Sequence, residues 1–127
     1  IIEDEIKNHS LRIKFKNTTD DNELASKISK TKSHKDYTNI PFVTIDGEDS
    51  KDFDDAVYAR KIDRGFLLMI AISDVSYFVK PNSLIDKEAK TRANSFYFPD
   101  RAIPMLPEFL SNNFCSLIPN KKRLITI

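Results

Sequence analysis

The distribution of apolar and polar positions divides the chain near residue 40. Residues 1–39 are polar, rich in Lys, Asn, Ser and Thr, and hold both histidines, His9 and His34. Ile2 and Ile6 are one helical turn apart and predict a short helix. Leu11, Ile13 and Phe15 alternate as in a strand. Asp20 followed by Glu23 can cap a helix carrying Leu24, Ala25 and Ile28 on one face. Residues 29–39 read as an exposed linker.

Beyond residue 40 the pattern is denser. Residues 40–45 predict a buried strand with Pro41 near its start. Residues 56–62 and 66–72 predict two strands joined at Asp63-Arg64-Gly65, a short glycine-containing turn. The run 66–72 is the longest apolar stretch, and it reads as a buried strand. It is far short of the roughly 20 residues a membrane helix needs. Ser83 with Asp86 three positions on opens a helix with Ile85, Ala89 and Ala93 on one side. Lys87, Lys90, Thr91 and Asn94 face elsewhere, and the aromatic run Phe96-Tyr97-Phe98-Pro99 ends it. Pro104 and Pro107 force an extended segment, because neither fits a helix interior or a central strand. A short helix over 108–112 and a last strand over 123–127 complete an α+β chain. Its mixed β-sheet with packed helices follows the polar extension.

Composition sharpens the class. At 127 residues the chain suits one domain with a core. The N-terminus lacks the pattern of a secretory signal. A single cysteine, Cys115, leaves no internal disulfide partner and points to a reducing compartment, plainly the cytoplasm. It reads as a small buried apolar residue, and the two histidines as surface residues. The chain starts at Ile1-Ile2 and stops in the apolar run 124–127, which suggests a fragment cut at both ends. The net charge of +1 conceals a division: residues 46–55 carry −5, and the rest of the chain +6. An acidic point within a basic body suits a metal-dependent enzyme acting on a polyanion.

That acidic point is the candidate chemistry. Asp46 lies where an apolar strand meets a loop, and Asp55 begins the next strand. Asp52 and Asp54 point to one side of an extended backbone, while Phe53 points to the core. Four carboxylates at one place repel one another and raise their pKa values. A hard divalent cation removes that conflict, and all-oxygen ligands suit magnesium or manganese. A plain solvated acidic turn is the alternative, but the acids abut strands with little polar spacing. A calcium EF-hand fails, since counting from Asp46 puts Lys51 where that loop needs glycine and Val57 where it needs glutamate. No His or Cys lies near the acids in sequence, so a histidine- or cysteine-based mechanism has no support.

The run from Thr44 through Asp46-Gly47-Glu48-Asp49-Ser50-Lys51-Asp52-Phe53-Asp54-Asp55 to Val57 strongly resembles the signature of the ribonuclease II / ribonuclease R family, the RNB domain. Ile70-Ala71-Ile72-Ser73-Asp74-Val75-Ser76, the helix 86–92, Tyr97-Phe98-Pro99, Ile103-Pro104-Met105-Leu106-Pro107, Leu110-Ser111-Asn112 and Cys115-Ser116-Leu117 resemble the same family in the same order. The likeness spans about 40–127, and the branch it most resembles is bacterial ribonuclease R.

The resemblance implies the N-terminal part of an RNB domain, incomplete at its C-terminus. Its members hydrolyse single-stranded RNA processively from the 3′ end and release nucleoside 5′-monophosphates. Asp46 and Asp55 would be magnesium ligands, Asp52 would help to hold the metal site, and Asp54 would be most needed for the chemistry. Tyr97 would stack on a base, and Lys90 and Arg92 could hold phosphates, although a charged helix face is usually only solvated. Phe96 and Phe98 read as core, and Asp74 as a structural turn cap. The family's transition-state arginine, the rest of the RNB domain and the flanking cold-shock and S1 domains would lie outside this chain, leaving the fragment alone inactive. A non-catalytic RNA-binding or scaffold module of the same fold is the second class. Some RNB relatives have lost acids of the cluster, whereas all four stand here. A calcium or structural domain is the third, and it does not explain the other motifs.

Overall fold

The computed structural model describes residues 1–11, 15, 26, 28 and 31–127. The expected strand over Leu11, Ile13 and Phe15 and the helix carrying Leu24, Ala25 and Ile28 lie largely outside these residues. Helix α1, Ile2–Asn8, carries its acids Glu3, Asp4 and Glu5 in the first turn and Lys7 in the last, the order the helix dipole favours.

The antiparallel hairpin of β1, Asp55–Ile62, and β2, Gly65–Ser73, is the frame of the chain. Its last pair is Ile62 with Gly65, so the turn proper is Asp63-Arg64. Gly65 has φ 126, a conformation L side chains rarely adopt, although a Cβ there would meet nothing within 4 Å. The requirement is conformational rather than steric. Strand β5, Ile125–Thr126, pairs antiparallel with Ile72 and Ser73 and completes a sheet of order β1-β2-β5.

Two expectations about this sheet change. Residues 40–45 form no strand and pair with β1 only through a bridge of Val43 with Val57, beside which the Phe42 and Tyr58 rings meet edge-on. Pro41 has no N–H to donate, and after Val43 the chain leaves the sheet edge for the acidic loop. Strand β2 is also not buried throughout. Ala71 and Ser73 face inward, whereas Phe66, Leu68, Ile70 and Ile72 are 75, 59, 47 and 48% exposed. Alternation puts the large side chains on the face that no described layer covers.

After β2 come helix α2, Val75–Phe78, and helix α3, Leu84–Arg92. Asp74 caps α2 by accepting from the Tyr77 amide at 3.1 Å, the capping role expected of it. Ser83 caps α3 by accepting from the Asp86 amide, and Asp86 reaches back to the amide of Asn82 rather than of Ser83. Helix α3 stops at Arg92. Ala93, expected on its buried side, is exposed at φ 64. The buried residue of α3 is Arg92. Strands β3, Phe96–Tyr97, and β4, Ala102–Ile103, pair as a small separate ribbon. The short helix expected over 108–112 gives way at 110–114 to a π-helical turn in which the Cys115 amide bonds the Leu110 carbonyl at 2.8 Å.

The core gathers Ile28, Leu110, Phe114, Cys115 and Leu124, with Val75, Tyr77, Phe78 and Ile85 against it. Cys115 is buried as expected, and burial pushes its thiol up to about 11. No helix among the described residues is long and apolar enough to cross a membrane.

His34, read as a surface residue, is instead half-buried. Its Nε2 bonds Asp74 Oδ2 at 2.9 Å, its Nδ1 lies 3.0 Å from Ser33 Oγ, and its ring packs edge-on against Tyr77. Burial alone would raise the Asp74 carboxyl, but bonds from Ser76, His34 and the Tyr77 amide outweigh it and hold the group below its ordinary value. A depressed folded pKa stabilises the fold above the unfolded value of 3.8, and that stabilisation is lost as pH falls through the folded pKa. Asp74→Ala should therefore cost about 1–2 kcal/mol at neutral pH, as expected for a lost helix cap with a charged partner. Urea denaturation should show the gap between variant and wild type narrowing as the buffer is taken below pH 3.8. A gap that does not change with pH would refute the assignment.

Candidate active site

The acidic loop between the Val43 bridge and β1 has no regular structure, so its shape rests on individual bonds. A turn closes at its start, where the Ser50 amide bonds the Gly47 carbonyl at 3.0 Å. At its end the Ser73 amide of β2 bonds the Asp54 carbonyl at 2.9 Å, and the Leu117 amide bonds the Phe53 carbonyl at 2.8 Å. Between these two, the Ser116 hydroxyl donates to the Lys51 carbonyl at 2.7 Å and accepts from the Phe53 amide at 3.0 Å. Asp52, Asp54 and Asp55 thus hang on a backbone fixed from two directions. Ser116 and Leu117 resemble the family's motif set, but their hold on this loop was not read from the sequence.

The four aspartates of the motif share one electrostatic field. Asp54 is raised above its ordinary pKa, first by desolvation and then by the charges of Asp52, Asp55 and Asp46. They do not form a ready-made ligand set: among the described residues no three His, Cys, Asp or Glu side chains are placed to hold a metal ion together. The donor chemistry, all carboxylate oxygen under mutual repulsion, still suits a hard divalent cation. Side-chain rotation would have to supply the convergence.

Tyr97 joins the cluster at Asp52. Its hydroxyl donates to Asp52 Oδ2 at 3.1 Å, while the residue as a whole stays 70% exposed. Desolvation of the phenol, followed by that bond, holds its proton more tightly than usual. An open cleft of about 530 Å³ runs beside this pair, lined in part by Lys51, Asp52, Tyr97, Glu108, Ser111 and Asn112. Asp46, Asp54 and Asp55 lie outside that lining.

The two basic candidates on α3 differ. Lys90 is exposed and pairs with Asp86 at 2.9 Å, one turn earlier. Arg92 is turned inward, its side chain 3% exposed. It donates to Glu88 Oε1 at 3.1 Å and to the Pro104 carbonyl at 3.2 Å, and its guanidinium stacks 3.7 Å above the Phe15 ring. This arrangement ties α3 to the proline segment and does not present Arg92 to a phosphate. Two turns after Ile85 and one after Ala89, Arg92 lies on the side of α3 that carries them, so the helix itself turns it inward.

Removing one of four repelling charges should relax the loop. A raised folded pKa means the folded chain gains stability as pH falls through that pKa, so ionised Asp54 opposes folding at neutral pH. Asp54→Asn should stabilise the fold in metal-free buffer by less than about 1 kcal/mol, because solvent screens the cluster, and raise the melting temperature accordingly. Differential scanning calorimetry at neutral pH measures this, and a drop in stability would contradict the picture of a strained cluster.

Known proteins place the chain. A family model described as the RNB domain matches residues 34–127. Ribonuclease R of Acidithiobacillus ferrooxidans is 60% identical over 90 residues, covering 71% of this chain and 20% of that protein. Ribonuclease R of Escherichia coli (strain K12) is 54% identical over 93 residues, covering 72% of this chain and 11% of that protein. The apo form of Mycoplasma genitalium RNase R matches the fold with a TM-score of 0.82 at 36% identity, over 98% of this chain and 20% of that one. The same enzyme in complex with double-stranded RNA matches with the same score and identity, over 23% of its chain. The chain therefore spans about a fifth or less of the length of these curated relatives. With a match to the family model over most of its residues, the chain belongs to the RNB domain family.

Proposed function

We propose that this chain is the N-terminal part of the catalytic domain of a magnesium-dependent 3′-to-5′ exoribonuclease that hydrolyses single-stranded RNA processively to nucleoside 5′-monophosphates. The observation that carries the reading is the acidic loop: four aspartates in the family's signature, in one field that raises Asp54, beside a cleft edged by Tyr97. The relatives' name, ribonuclease R, and the RNA complexes of the Mycoplasma genitalium enzyme support RNA as the partner.

In this reading Asp46, Asp52, Asp54 and Asp55 would hold magnesium, or manganese in its place. Bound there, the cation would supply charge for the scissile phosphate and lower the pKa of a water. The chain's own part is to place the carboxylates. By its place in the signature, Asp54 is the carboxylate we assign as most needed for the chemistry. Tyr97 offers an exposed ring to a base, an interaction worth about 1–3 kcal/mol. Lys90, exposed on α3, is the remaining phosphate candidate, and it would have to leave Asp86 to serve. The activity belongs to the full-length protein. There we place the remainder of the domain over the apolar outer face of β2, with cold-shock and S1 domains flanking it. We assign the protein to the cytoplasm, in keeping with its buried, free Cys115.

The test is incubation of the full-length protein with 5′-labelled single-stranded RNA and magnesium. Progressive shortening from the 3′ end is expected, and both Asp54→Asn and EDTA should abolish it. RNA that stays intact but bound in a salt-sensitive way would establish the non-catalytic binding module instead. Tyr97→Ala should weaken binding of a short RNA by about 5- to 150-fold, the equivalent of the stacking energy. Fluorescence anisotropy in EDTA would measure that loss, and unchanged affinity would remove Tyr97 from the RNA contact.

A further inference from the structure

We propose that Ser116 is the positioning residue of the acidic loop, setting through its hydroxyl where Asp52 and Asp54 stand; the proposal rests on the exoribonuclease reading. Its hydroxyl uses both of its hydrogen-bonding capacities on one strip of backbone. It donates to the carbonyl of Lys51 at 2.7 Å and accepts from the amide of Phe53 at 3.0 Å, so it brackets Asp52 from both sides. The next residue repeats the contact, with the Leu117 amide on the Phe53 carbonyl. The bonds cross 63 and 65 positions, so the tie is tertiary and not local to the loop.

Ser116 is 0% exposed, so water cannot replace the hydroxyl if it is lost. It is itself held. Arg123 Nε donates to the carbonyls of Ser116 and Asn113 at 2.9 and 3.0 Å, and its Nη2 donates to Asn113 Oδ1 at 2.9 Å. The fork of one arginine fixes the turn that carries Ser116, and Ser116 fixes the loop. Ser116 touches no substrate in this scheme. It acts only through the backbone on either side of Asp52 and just before Asp54.

The consequence is specific. A loop released here should keep its RNA affinity and lose its chemistry, since the carboxylates would no longer be held where a cation and a phosphate must meet. Supporting groups of this kind typically change activity or metal affinity by roughly 10- to 100-fold. In the full-length protein, Ser116→Ala should lower the single-turnover rate on 5′-labelled RNA by about that factor. It should also raise the magnesium concentration for half-maximal rate, while RNA affinity in EDTA stays unchanged. Ser116→Cys, close in volume but a weak hydrogen bonder, should fall with it, and it keeps the test alive should the alanine variant not fold. Ile6→Ala, a core truncation in α1, serves as the control for general destabilisation and should retain the wild-type rate below its melting temperature.

Hydrogen exchange of the peptide spanning residues 46–55, followed without metal, reads the tie independently of activity. Both Ser116 variants should exchange faster there. Wild-type rate and magnesium dependence in a folded Ser116→Ala, or unchanged protection of the loop, would overturn the proposal. So would a loss no greater than that of an Ile6→Ala variant of equal stability. If wild-type protein leaves RNA intact while the loop still loosens in the variants, the exoribonuclease reading fails and the structural tie stands.

Discussion

A loop of ten residues with a charge of −5 cannot hold one conformation through its own contacts, since its like charges repel and few of its side chains are apolar. Its order must come from outside, through backbone groups that feel no such repulsion. Asp54 shows the cost, raised by burial and by its three neighbours. The bonds from Ser73, Ser116 and Leu117 show what opposes it. Each is a modest contribution of about 0.5–1.5 kcal/mol. Together they act on four consecutive peptide units and engage no carboxylate. The result is a backbone held independently of its carboxylates, which is how the aspartates share a field without forming a finished ligand set.

The hairpin is what makes those bonds possible. Ser73 ends β2 and Asp55 begins β1, and the antiparallel register pairs Asp55 with Ile72. Residue 54 therefore arrives beside Ser73 wherever the turn at Asp63-Arg64 puts the two strands in register. Strand β5 brings the third side, because the Asp74 amide bonds the Leu124 carbonyl just before that strand pairs with β2. Arg123 precedes Leu124, so the sheet also places the guanidinium that holds the Ser116 turn. One register carries the whole arrangement.

Much of this was legible in the chain. An apolar run and a glycine turn mark the hairpin, Ser83 with Asp86 marks the start of α3, and four aspartates between apolar strands mark the site. What was not legible depends on contacts between distant residues. Nothing local to Ser116 says that it reaches Lys51 and Phe53. Arg92 does share the helical face of Ile85 and Ala89, but guanidinium groups on helices are usually solvated, and its bond to the Pro104 carbonyl crosses 12 positions. His34 looked idle because Asp74, its partner, lies 40 positions away. Residues 40–45 and 66–72 failed differently. Their apolar runs were correctly seen, but a run does not say which face will be covered, and Phe66, Leu68 and Ile70 remain outside. An apolar strip of that length is unusual on a free surface.

Tyr97 links the two halves of the site. A single phenol is both the exposed ring at the cleft and the donor to Asp52, so the position of the ring and the orientation of the carboxylate are not independent. A hydrogen bond to a charged acceptor contributes about 1.5–3 kcal/mol when desolvated, and less here, where the ring is largely exposed. Any ligand that stacks on the ring and tilts it strains that bond. Any cation that draws Asp52 toward Asp54 competes with the phenol for the same oxygen. Linkage makes the effect mutual: whatever loosens the phenol from Asp52 lowers the cost of the other event by the same amount. The backbone under Asp52 is fixed by Ser116, so the coupling falls on the side chains and is not lost in motion of the loop.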